Sequence, residues 1–298
     1  MSGAPRADPA WDSFWRYDRL SSFHTAPGAP NYGPPIADGW RAFFASLANG
    51  ARVLDIATGN GAIAVLAVEA GKGFTVTGAD LADVRPTDFV TIGRAALEQV
   101  HFLANTPAES LPLPDASVDA VVSQYGVEYS DLAQSIPEAV RILAPGGRLR
   151  FAMHAAEGAV AGDTVKSVAD ADFLIDLDIV ALAAHAHTAT GAFNAGLKAI
   201  ADRAPAATDQ AMLANVHTSL CEAFDHRPSE LVATARHLQG EISAHGDRQA
   251  ALLLAARSAK QINSLGGRLS ALGLTGILLG EQRDGRDLIG HVIEGTKP

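Results

Sequence analysis

The sequence predicts an α/β protein: a doubly wound seven-stranded sheet with an antiparallel last strand, and an α-helical insertion between strands five and six. Three observations carry this. Short apolar, β-branched runs alternate with helix-forming runs between residues 52 and 154, the pattern of right-handed βαβ units and a parallel sheet covered on both faces. From residue 158 to about residue 272 the chain is alanine-rich and reads as helix throughout. Two apolar runs then flank Asp284-Gly285, and Asp-Gly between such runs signals a hairpin.

The elements follow in order. Residues 52–57 read as a short buried strand ending in a glycine turn, and residues 62–70 as a helix stopped by Gly71. Residues 74–80 form a second strand, residues 87–100 a helix and residues 101–104 a third strand. Residues 118–123 are a fourth strand, followed by a helix over 136–143. Pro145-Gly146-Gly147 turns the chain into a fifth strand over 148–153, which His154 ends. In the alanine-rich stretch, Thr208-Asp209 and Pro228-Ser229-Glu230 look like helix starts, and Gly191, Gly240 and Gly266-Gly267 like breaks. The last two strands are residues 275–280 and 287–293.

Before the first strand the texture differs. Trp11, Phe14, Trp15, Tyr17 and Phe23 lie among prolines and glycines, and a mobile tail seldom carries so many aromatics. The expected organisation is therefore an aromatic capping segment over residues 1–40, a core of residues 41–156 with 273–298, and a helical insertion over 157–272. That insertion would serve as a lid or a dimer interface.

Composition narrows the partners. Of 298 residues, 48% are hydrophobic and 19% charged, with a formal net charge of −10. No lysine- or arginine-rich run is present, which argues against nucleic acid, and an acidic surface repels anionic membranes. A small-molecule ligand and a homodimeric partner remain. Cys221 is the single cysteine, so no intrachain disulfide forms. No run reaches the roughly 18 apolar residues of a transmembrane helix, and no signal core opens the chain, so a cytoplasmic protein is the expectation.

Asp55, Ala57, Thr58, Gly59, Asn60 and Gly61 make a glycine loop between the first strand and its helix. Such loops let backbone approach a ligand closely and offer the unpaired N–H groups of a helix start. Asp80, about twenty residues on, is placed to hold two ribose hydroxyls. Two cofactor classes share these features: nicotinamide dinucleotides and S-adenosylmethionine. Asp55 beside the loop would repel a pyrophosphate but attract a methionyl ammonium, and Gly61 is followed by Ala62-Ile63-Ala64, so the third glycine of a dinucleotide fingerprint is absent, although alanine is a tolerated variant there.

Residues 53–67 (VLDIATGNGAIAVLA) resemble the first motif of class I S-adenosylmethionine-dependent methyltransferases, in the branch of the quinone-biosynthesis enzymes. Residues 77–81, 108–119 and 141–147 resemble three further motifs of that family in the same order. The resemblance implies a Rossmann-like fold and S-adenosylmethionine as cofactor. It also implies transfer of a methyl group to an O, N or C nucleophile of a small molecule. It places Asp80 on the ribose, Leu81 and the Ala108 N–H at the adenine, and Ser123 and Gln124 beside the cofactor. Where the family carries an aspartate for the adenine amino group, this chain has Pro107, so that contact comes from Asn105, Thr106 or Glu109 or is absent. An oxidoreductase using NAD and a non-catalytic binding protein of the same fold are the rival readings.

Tyr125 and His154 end strands four and five, on the side of such a sheet where ligands bind. His154 is a candidate base and, with Tyr125, a candidate acceptor contact; the alternative is a histidine hydrogen-bonded to the inserted helices. Tyr17, and with it Tyr32, belongs to the aromatic segment, which in related enzymes closes over the cofactor. His185 and His187 fall on different faces of a helix, so no metal site is expected.

Overall fold

A computed structural model describes residues 9–22 and 31–298, so Phe23 of the aromatic segment lies outside the described residues. Its strands are β1 (Arg52–Ile56), β2 (Thr75–Ala79), β3 (Val100–Leu103), β4 (Val118–Gln124), β5 (Leu143–His154), β6 (Thr275–Asp284) and β7 (Asp287–Thr296). They form one seven-stranded sheet in the order β3-β2-β1-β4-β5-β7-β6. Strands β1 to β5 run parallel, and β7 pairs antiparallel with both β5 and β6. The hairpin turns at Gly285, whose φ of 58° is the left-handed conformation that glycine adopts without strain.

The near-continuous apolar character of β1 has a direct cause. Val53 faces one core with its register partners Val76 and Ala120, while Leu54 and Ile56 face the other. The first core is closed by α2 (Pro34–Ser46) and α3 (Ala62–Glu69), with Trp40 and Phe44 fully buried. The second is closed by α6 (Leu132–Ile142) and by α12 (Ala259–Ala271). Three short helices complete this unit, α1 (Pro9–Phe14) before α2, and α4 (Pro86–Phe89) and α5 (Arg94–Leu97) between β2 and β3. The single helix expected over 87–100 is split because Gly93 turns left-handed, at φ 71°, between α4 and α5.

Residues 161–254 separate as a second compact unit, the first comprising 1–160 and 255–298. The helices after β5 are α7 (Ala159–Asp176), α8 (Ile179–Ala184), α9 (Thr190–Arg203), α10 (Gln210–His226) and α11 (Leu231–Ala255). They enclose a core of their own, with Leu174, Phe193, Ile200, Leu213 and Leu220 buried. Gly240 does not break α11, and Gly266-Gly267 do not break α12. Gly266 is buried on the face of α12 that meets the sheet, where an added Cβ would touch Ile277 at an ordinary contact distance of 3.4 Å. The insertion read from sequence ended at residue 272, but α12 returns to the sheet unit: its stripe of Ile262, Leu265 and Leu269 is buried in the second core. Among the described residues no helix is long and apolar enough to cross a membrane.

Phe151 on β5 is wholly buried in that second core. Phe151→Ala should lower unfolding stability by roughly 3–5 kcal/mol through lost transfer energy and the cavity left behind. Denaturant titration followed by circular dichroism measures it; a loss below about 1 kcal/mol would show that the sheet unit does not depend on this core.

Candidate active site

The glycine loop is built by three strand ends. Ala57 and Gly59 both take φ of 53°, folding the chain back over the carboxyl ends of β1 and β2. Thr58 donates its hydroxyl to Asp55 Oδ2 at 2.6 Å and its N–H to the Ala79 carbonyl at 3.1 Å. The Gly59 N–H donates to Asp80 Oδ2 at 2.7 Å, and the Ala82 N–H to Asp80 Oδ1 at 2.8 Å. Asp80 therefore binds the loop to the turn after β2 through both oxygens. A Cβ on Gly59 would lie 2.5 Å from the Trp15 ring, so glycine here admits an indole directly onto the loop.

Both carboxyl groups are buried, and burial is the main cause of their raised pKa values. Asp55 is pushed up to about 7; the Thr58 hydroxyl opposes this, and the charge of Asp80 adds to it. Asp80 is pushed up to about 6, against the two N–H donors of Ala82 and Gly59 and reinforced by Asp12.

In front of Asp80 lies a cavity of about 220 Å³. Of the residues expected at a ligand site, Ala57, Asp80, Leu81, Ala108, Glu109 and Tyr125 line it. Trp11, Trp15, Ala82, Gly126, Tyr129 and Ser130 also line it and were not named as site residues from the sequence. Thr106 and Glu109, two of the groups offered in place of the residue that Pro107 displaces, face the cavity; Asn105 does not. Glu109 Oε1 also accepts the Asp131 N–H at 2.7 Å, at the start of α6.

The remaining expected residues stand elsewhere. Asp55, Thr58 and Asn60 are buried and do not line the cavity. Ser123 joins two strand ends: its hydroxyl donates to the Ile56 carbonyl at 2.8 Å and accepts from the Val127 N–H at 3.0 Å. Gln124 turns into a buried polar cluster, accepting from Trp40 Nε1 at 2.6 Å and donating to Gln282 Oε1 at 2.9 Å. Tyr17 is 48% exposed and away from the cavity; the aromatic segment instead presents Trp11 and Trp15.

Tyr125 has a left-handed φ of 56°, a strained conformation for a bulky residue, and its hydroxyl donates to Gln282 Oε1 at 2.5 Å. The next residue, Gly126, packs so tightly on the loop that a Cβ there would meet the Ala57 Cβ at 2.5 Å. His154 lies behind this wall. Its ring stacks on Tyr125 at 4.2 Å, meets the edge of Tyr129 at 6.3 Å and does not line the cavity. Its partner is Glu128, whose Oε1 lies 2.9 Å from Nδ1 and accepts the His154 backbone N–H at 2.9 Å. Nothing in the sequence distinguishes Glu128 except a carboxylate within an otherwise apolar and aromatic stretch.

Comparison with known proteins follows the same boundaries. Residues 54–151 match the model of the methyltransferase domain. An uncharacterized methyltransferase of Mycobacterium tuberculosis is 39% identical over 140 residues, 45% of this chain and 52% of that protein. The demethylmenaquinone methyltransferase of Thermus thermophilus is 39% identical over 103 residues, 33% of this chain and 44% of that protein. The chain thus spans about half the length of the curated relatives it matches. A putative S-adenosylmethionine-dependent methyltransferase of Methanococcus maripaludis superposes with a TM-score of 0.45 at 14% identity, over 89% of this chain and 84% of that one.

Proposed function

We propose that this chain is a class I S-adenosylmethionine-dependent methyltransferase and that it moves a methyl group to an O, N or C nucleophile of a small-molecule acceptor. One observation carries the choice of ligand: the carboxyl groups lining the cavity are those of Asp80 and Glu109, Asp55 is buried in the adjoining loop, and no lysine or arginine is in the described lining. Such a site repels the pyrophosphate of a dinucleotide and suits a cofactor with a sulfonium and an ammonium.

In this reading Asp80 holds the ribose, Leu81 and Ala108 flank the adenine, and the loop braced by Asp55 receives the methionyl end. When bound, the cofactor supplies an activated methyl carbon on a leaving group that departs as a neutral thioether. The protein then needs mainly to align nucleophile, methyl and sulfur and to exclude water; orientation alone can supply roughly 7–11 kcal/mol of barrier reduction. Trp11, Trp15 and Tyr129 provide dry walls. His154, enclosed by Tyr125 and Glu128, acts as a support for that wall rather than as a base touching the acceptor. The Thermus relative points to a ring-bearing acceptor, which aromatic walls suit.

Calorimetric titration with S-adenosylmethionine and with NAD tests the ligand, and a metabolite panel with methyl-labelled cofactor tests the transfer. Binding of S-adenosylmethionine without binding of NAD, and label in a small-molecule product, are the expected results. NAD binding alone would overturn the reading. Good cofactor affinity with no acceptor labelled would favour a non-catalytic binding protein, the alternative supported by His154 lying behind the wall.

A further inference from the structure

Nitrogen, oxygen and carbon acceptors differ in the charge they bring to a methyl transfer, and the walls of the cavity favour one of them. The described lining holds the carboxyl groups of Asp80 and Glu109, the rings of Trp11, Trp15, Tyr125 and Tyr129, and no lysine, arginine or histidine. The Trp11 ring stacks on Trp15 at 6.3 Å and meets the edge of Tyr129 at 5.5 Å, so three rings adjoin one another on one wall.

Tyr129 is the polar group that this wall leaves unused. Its ring touches Trp11 and His154, but among the described residues its hydroxyl makes no hydrogen bond. The Tyr125 hydroxyl, by contrast, is committed to Gln282 Oε1 at 2.5 Å. Burial above all, then the neighbouring Glu128 and Tyr32, keeps the Tyr129 hydroxyl protonated well above the ordinary tyrosine range. It is a neutral group that gives or accepts a hydrogen bond and takes up no proton.

The chemistry of the step separates the acceptors. When an amine attacks, its lone pair forms the N–C bond while the C–S bonding pair leaves with sulfur. The positive charge passes from sulfonium to nitrogen and stays throughout among carboxyl groups and ring faces, which favour it. A phenolate or enolate would bring negative charge against those carboxyl groups, and the transfer would erase the charge the site favours. A neutral phenol or carbon acid needs a base for its proton. The lining carboxyl groups are already engaged, Asp80 by the Gly59 and Ala82 N–H groups and Glu109 by that of Asp131. An amine needs no base there. It enters as the free base, its proton already given to water, and the N-methylammonium product carries the charge out.

We propose that the acceptor is an amine whose nitrogen hydrogen-bonds to the Tyr129 hydroxyl, with its developing charge facing the rings of Trp11 and Trp15. This rests on the methyltransferase reading and narrows it to one acceptor class.

The test incubates the protein with methyl-labelled S-adenosylmethionine and a panel in which each aryl or alkyl amine is matched by the corresponding alcohol or phenol and carboxylic acid. Label should appear in products that cation exchange retains and alkali leaves intact, as expected of N-methylated amines, in preference to every matched oxygen acceptor. Label in an ether, an ester or a ring carbon would overturn the proposal. Tyr129→Phe keeps the ring and removes the hydroxyl. It should raise KM for the labelled amine by about threefold to tenfold, the range for one hydrogen bond, with calorimetric affinity for S-adenosylmethionine unchanged. An unchanged KM, or an equal loss of cofactor affinity, would overturn the assignment of Tyr129. Binding of S-adenosylmethionine with no label in any product would instead overturn the transfer reading beneath it.

Discussion

Asp80→Ala will weaken S-adenosylmethionine binding by well over tenfold. The carboxylate should contribute roughly 1.5–3 kcal/mol through charge-assisted bonds to the ribose. The structure adds a second loss, because Asp80 also accepts the Gly59 and Ala82 N–H groups at 2.7 and 2.8 Å. Removing it leaves both donors unpaired next to a buried loop, a further cost of roughly 1–3 kcal/mol for each that stays dry. Asp80→Asn should be milder, since an amide oxygen still accepts one of them. Titration calorimetry gives the affinity, and amide exchange at Gly59 reports whether the loop has loosened. Unchanged affinity in a folded Asp80→Ala protein would show that the ribose is held elsewhere.

Binding of the cofactor should tighten as pH rises from about 5 to about 8, because its net positive charge favours ionised carboxylates. Asp55 is held near 7 and Asp80 near 6 by burial, so the free protein retains protons that binding expels. Titration in buffers of different ionisation enthalpy should reveal that release. The same shift sets the stability of the free protein. Both folded values lie above the unfolded value of 3.8, so the stabilisation is complete below about 4 and is lost as pH rises through about 6 and then about 7. The loss is on the order of 3–4 kcal/mol for each carboxyl once ionised. Asp55→Asn should flatten the decline in melting temperature between pH 4 and 8. A flat wild-type profile matched by the Asn variant would show that neither carboxyl titrates in this window.

What could be read from the chain alone was local. The β1 strand, its glycine loop and α3 follow one another within residues 52–69, and their apolar runs and turn residues dictate them without reference to the rest of the fold. Asp80 was legible because one βαβ unit spans a nearly constant length, and the closing hairpin because Asp-Gly announces its turn. Tertiary contacts decided the remainder. Gly93 turns left-handed between α4 and α5, whereas Gly240 and Gly266 stay helical. α12 joins the sheet because its apolar stripe finds a second core that the linear pattern cannot display. Trp15 reaches Gly59, Glu128 reaches His154, and Arg19 reaches Asn60 across stretches with no fixed spacing. A local pattern records which backbone each residue prefers. Which side chains meet over the glycine loop depends on how separate segments pack, and only the folded chain settles that.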